Sequence, residues 1–255
     1  MVQHQRPLSL LKVFLWLGSV GTLVPVALPV LALSESVGPQ GIDARRLHGA
    51  PYDLTGEKIA IGQVEIGRPS LFGIDKVAPA NLPVTVRRVL LLDDWAAADE
   101  YVDGHAANVA SVMISQDKLH TGVAPEALLY SGAVGPLVEG TAQPEECLAS
   151  QAVALQNGGD VRAINFSFGE PLSRDPRPNP VLDGNALLTQ CIDWSARVHS
   201  TLYVIAGNQG RGGIPIPTDN FNGINVAYSR QVNGEFNKID YSNLSSEPSG
   251  AIQSG

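Results

Sequence analysis

Short, mostly apolar runs that alternate with stretches of helical spacing constrain this chain more than any other feature. Lys58–Val64, Val84–Leu92, Leu128–Val134, Val161–Ser167, Leu202–Ala206 and Ile224–Tyr228 read as strands. Ala106–Ile114, Gln143–Gln156 and Asn185–His199 carry small and apolar residues at helical intervals. A strand without polar alternation is apolar on both faces and has to be covered on both. Strands that alternate with helices pair in parallel through right-handed crossovers. The expectation is an α/β domain of three layers around a central, mostly parallel sheet, and 255 residues suffice for one such core. Gly169–Gly184, with Pro171, Pro176, Pro178 and Pro180, is the longest irregular stretch and reads as a surface loop. No internal repeat or second domain boundary is visible.

Composition removes several function classes. With 44% hydrophobic and 16% charged residues the chain is globular rather than disordered. A net charge of -8, without a basic run, argues against nucleic acid as a partner, because phosphates need clustered Lys and Arg. The five histidines are scattered and no Cys-x-x-Cys occurs, so no metal centre is indicated. A phosphate-binding loop at Gly207–Gly213 fails on two counts. Its glycines do not follow Gly-x-Gly-x-x-Gly, and Pro215 and Pro217 oppose an immediate helix.

Residues 1–34 differ from the rest. Arg6 and Lys12 precede an apolar run, Phe14–Leu33, and no acidic residue occurs before Glu35. The run closes on Ala32-Leu33-Ser34, the layout of a cleaved secretory signal peptide. A retained transmembrane anchor is the competing account, and Pro25 and Pro29 favour cleavage. Residues 35–255 then form the mature domain, with 15 basic and 25 acidic residues. An exported chain allows a disulfide between Cys147 and Cys191, both in helical stretches, but two separate buried thiols fit the sequence equally well.

In parallel α/β folds ligands gather at the carboxyl ends of the strands. Glu65 follows the first strand, and His105 opens a helix in Asp103-Gly104-His105-Ala106-Ala107-Asn108. Asn165-Phe166-Ser167-Phe168-Gly169 closes a later strand, and Ala206-Gly207-Asn208 closes the next. This ordered set, with Gly122-Val123-Ala124-Pro125 between, resembles the subtilisin-like serine peptidases. The likeness runs from about Gly41 to the end.

The resemblance implies a fold and a chemistry. His105 would be the general base and later the acid, and the Glu65 carboxylate would hold the imidazole in one tautomer. Asn208 would donate to the oxyanion. Ser167, Phe168 and Gly169 would pair with an extended polypeptide substrate as an edge strand. No cofactor is required; calcium occurs in some relatives, but no site for it can be placed here.

Three departures stand out. Glu65 occupies a position where the family has Asp, with Asp93, Asp94 and Asp103 as fallback acids. Ala106 and Ala107 replace Gly-Thr after the base, and Ser111 replaces a later glycine of the same helix. Above all, the Gly-Thr-Ser-x-Ala segment that carries the family's nucleophile does not occur, and neither Ser249 nor Ser254 stands before a helix. The expectation is a subtilisin-like domain truncated at its C-terminal side, inactive and unstable alone unless a separate C-terminal fragment completes it. The alternatives are a non-catalytic peptide-binding pseudopeptidase and a decayed gene fragment.

Overall fold

A computed structural model describes residues 37–39, 41–69, 86–91, 102–135, 139–207, 214–227 and 229–238. The leader, Asp93, Asp94, Asn208 and the serine-rich stretch after 238 lie outside them.

Six strands form one sheet: β1 (Ala60–Glu65), β2 (Val86–Leu91), β3 (Leu128–Ala133), β4 (Val161–Phe166), β5 (Leu202–Ala206) and β6 (Gly223–Val226). Their order is β2-β3-β1-β4-β5-β6, and every pairing is parallel. The three α-helices among the described residues are α1 (Gly104–Ile114), α2 (Gln143–Ala154) and α3 (Leu187–His199). The α/β expectation therefore holds, with element ends shifted by a few residues.

The faces of β1 show how the layers divide. Ala60, Gly62 and Val64 turn to α2, which lies so close that a Cβ on Gly62 would stand 2.4 Å from Val153 Cγ1. That side holds the main core, with Val153, Ile164, Phe166, Ile192, Tyr203 and Ile205 all fully buried. Ile61, Gln63 and Glu65 turn to α1. There Ala106, Ala110 and Ile114, spaced by four, form its buried stripe. Small residues at 106 and 110 let this helix sit close to the sheet.

Cover on the α1 side stops short of β5 and β6. Tyr203 and Ile205 are 0% exposed on the α2–α3 side, whereas Leu202 is 40%, Ile224 51% and Val226 47% exposed on the opposite one. These residues pattern as a strand buried on both faces, but one of their faces is bare among the described residues.

Two features depart from the sequence expectations, and a third resolves a choice the sequence left open. Gly169–Gly184 is more than a surface loop. Leu172 and Leu182 are buried in the core, and Arg177 ties the loop together through Asp175 (2.7 Å), Asp183 (2.8 Å) and the Val181 carbonyl (2.8 Å). Cys147 and Cys191 are joined as a disulfide between α2 and α3, which settles the open choice between bridge and free thiols. A hairpin, β7 (Ser229–Val232) and β8 (Glu235–Lys238), went unforeseen, although Asn233-Gly234 is a strong turn signal. Both turn residues have positive φ, 54° and 83°.

Candidate active site

β1 and α1 together build the site. β1 runs straight into Glu65, whose side chain is 1% exposed on the α1 side. Asp103 starts α1: its carboxylate accepts the Ala106 N–H at 2.7 Å, an ordinary N-cap. The cap fixes the first helical turn and with it His105, one residue into the turn. His105 Nδ1 then lies 3.0 Å from Glu65 Oε2, and its side chain is 55% exposed. A buried acid thus faces a solvent-reaching imidazole. Of the fallback acids, Asp103 is engaged as the helix cap and is not the partner.

A carboxylate can only accept, so Nδ1 carries the proton and Nε2 is left with a free lone pair on its outer side. Burial pushes the Glu65 carboxyl up, and the hydrogen bond to His105 works against that shift. The same hydrogen bond raises the imidazole, opposed by partial burial and helped by the charges of Glu65 and Asp103. Both shifts run upward, the carboxyl's from burial and the imidazole's from its hydrogen bond to the carboxylate.

Gln63, two residues earlier on the same face and fully buried, donates to Ser131 Oγ at 3.1 Å and to the Ala106 carbonyl at 3.5 Å. It braces the turn that carries His105. Sequence reasoning passed over it, although a glutamine inside an apolar strand run is itself a signal. Gln63 Oε1 and Glu65 Oε1 are buried acceptors with no donor among the described residues.

Ser167, Phe168 and Gly169 follow the end of β4, next to β1, and are half-buried. Their backbone groups hydrogen-bond to no other described residue. Asn165 Nδ2 donates to Ser167 Oγ at 2.6 Å. Phe168 stacks on Phe166 with ring centroids 4.4 Å apart and so packs toward the core. Gly169 abuts Pro215, where a Cβ would come within 2.5 Å of the ring. Glu170, just beyond, is 2% exposed and pairs with Ile216 through two backbone hydrogen bonds of 3.0 and 2.9 Å.

The sequence profile of the subtilase family matches residues 80–253, about two thirds of the chain. No curated protein sequence matches. Among solved structures the chain is similar to the prenylagaramide maturation protease PagA, with 18% identity over 79% of this chain and 63% of that one, at a TM-score of 0.49. It is also similar to the protease domain of PatA, determined as a point mutant: 19% identity over 68% and 58%, TM-score 0.46. A third similarity is to MycP1 from Mycobacterium smegmatis, with 16% identity over 67% and 44% and a TM-score of 0.44. The chain spans less than two thirds of the length of these three structures.

Proposed function

The chain belongs to the subtilase family, and on that premise we propose that it is the front part of an exported serine endopeptidase domain. In this account it supplies the general base and its orienting acid, and a segment outside its 255 residues supplies the nucleophilic serine. The observation that carries the proposal is the 3.0 Å contact between buried Glu65 and exposed His105.

The chemistry is acyl transfer. His105 Nε2 takes the serine proton as the oxygen bonds to the scissile carbonyl carbon, and Glu65 stabilises the imidazolium. The imidazolium returns the proton to the departing amine as the carbon–nitrogen bond breaks, which leaves an acyl-serine. Water, deprotonated by the same imidazole, then releases the acid. Asn208 donates to the oxyanion, a role whose loss costs about a hundred- to a thousand-fold in rate, a magnitude that comes from subtilisin itself. Ser167–Gly169, whose backbone no described residue pairs, receives the extended substrate. This route calls for no cofactor, and the substrate is a polypeptide. Residues 1–34 serve as the export signal.

The bare face of β5 and β6 supports a completing segment. Leu202, Ile224 and Val226 are each about half exposed, so covering them is worth roughly 1 kcal/mol apiece. The orphan acceptors of Gln63 and Glu65 call for donors on the same side. We therefore expect this chain alone to show no serine-dependent turnover. The test is to read the coding DNA beyond codon 255 in all frames and at other loci of the same genome. A Gly-Thr-Ser-x-Ala segment followed by an apolar helix supports the proposal. Its absence leaves a peptide-binding or decayed remnant.

A further inference from the structure

The N-cap positions of α2 and α3 are Ala142 and Ala186, which make no side-chain bond, and at α2 the neighbouring Thr141 Oγ1 accepts the Gln143 N–H at 3.2 Å. Further caps come from far along the chain. Glu170 Oε2 accepts the Ala142 N–H at 2.7 Å, and Glu170 Oε1 accepts from Gln143 Nε2 at 3.5 Å. Gln143 Oε1 in turn accepts the Leu188 N–H in the first turn of α3, at 3.0 Å. Glu170 and Gln143 are 2% and 1% exposed. One buried network therefore joins the residue after Gly169 to the starts of both helices. The carboxylate also lies where the α2 dipole favours negative charge.

Close to this network is a second buried acid. Glu146, in the first turn of α2, is 4% exposed, and its Oε2 has no hydrogen-bond partner among the described residues. Burial, then the charges of Glu170 and Glu145, push its carboxyl up to about 8. In the first turn of α3, Leu188 and Thr189 are fully buried and Thr189 donates to Asp219 Oδ1 at 2.7 Å, while the Tyr203 phenol pairs with Ser195 Oγ at 2.8 Å.

We propose that Glu170 is a positioning residue that clamps the substrate edge Ser167–Gly169 to the N-terminal ends of α2 and α3, and that the clamp holds only while Glu146 is protonated. A neutral Glu146 leaves Glu170 as the one charge of this pair, matched to the Ala142 N–H and the helix dipole. An ionised Glu146 sets two buried negative charges against each other and works against both Glu170 bonds. The edge is thereby ordered at neutral pH and loosened under alkaline conditions. This inference rests on Ser167–Gly169 being the substrate edge. Its test needs no turnover, so the clamp and the peptidase activity can fail separately.

The experiment is amide hydrogen exchange on the full chain at pH 6.5 and 9, comparing Glu170 and Ile216 with β1 amides as an internal reference. In the wild type, protection of Glu170 and Ile216 should fall by roughly tenfold relative to β1 between the two pH values, because pH 9 lies about one unit above the Glu146 value. Glu146→Gln should abolish that fall, and Glu170→Gln should lower the protection already at pH 6.5. If Glu170→Gln does not fold, the Glu146→Gln comparison decides. The same pH response in wild type and Glu146→Gln would overturn the proposal, as would wild-type protection in a folded Glu170→Gln.

Discussion

Replacing both cysteines with alanine should remove a large share of this chain's stability. The Cys147–Cys191 bridge spans 44 residues and ties α2 to α3, so it restricts the unfolded chain across the whole β4 region. Loop-closure entropy for that separation corresponds to about 4 kcal/mol at 25 °C. A domain of this size has a total stability of roughly 5–15 kcal/mol, so the loss is severe. It should lower the melting temperature by about 8–16 °C. The assay is equilibrium urea unfolding of the wild type and the Cys147→Ala/Cys191→Ala variant, followed by circular dichroism, with thermal melts alongside. A difference of about 3–4 kcal/mol supports the argument, as does a variant already unfolded without urea. A difference under about 1 kcal/mol would refute it, since the bridge would then not limit the unfolded ensemble.

Three further outcomes follow from individual contacts. Glu146 has a raised carboxyl in the folded state, so its contribution to stability is complete below the unfolded value near 4.5 and is lost as pH climbs toward about 8. Glu146→Gln should gain on the wild type by about 3 kcal/mol between pH 4.5 and 7, measured as denaturant midpoints across pH; a constant difference would contradict the assignment. The His105 imidazole, held up chiefly by Glu65, should titrate above the ordinary histidine value in NMR and drop back in Glu65→Gln. Its stabilising effect is present below about 6.5 and fades as pH rises through the folded value. An unchanged titration in the variant would separate the two residues. Gly62→Ala forces a methyl against Val153 and Ile164 and should cost about 1–3 kcal/mol, read from the same unfolding curves; a neutral effect would mean that α2 can move away.

The strands were legible because a largely buried parallel sheet needs mostly apolar runs, and β1, β3, β4 and β5 supply them with few polar interruptions. Glu65 and His105 could be singled out as chain order alone, but their meeting at 3.0 Å depends on the Asp103 cap and on the Gln63 brace beneath Ala106. The long-range caps of α2 and α3 were not legible, since they come from residues 28 and 45 positions away in sequence, and the N-cap positions themselves hold only alanines. The proline-rich loop concealed Leu172 and Leu182 because proline density marks irregular backbone, not exposure.

Labelling with a fluorophosphonate, which phosphonylates only an activated serine, tests the central claim most directly. The sample is the protein produced from its own gene together with the DNA that flanks it, in wild-type, His105→Ala and Glu65→Gln forms. The account predicts a labelled serine within a Gly-Thr-Ser-x-Ala segment beyond residue 255, with labelling lost in His105→Ala and slowed in Glu65→Gln. A labelled serine indifferent to both substitutions, or an intact segment that takes no label in the wild type, would contradict it.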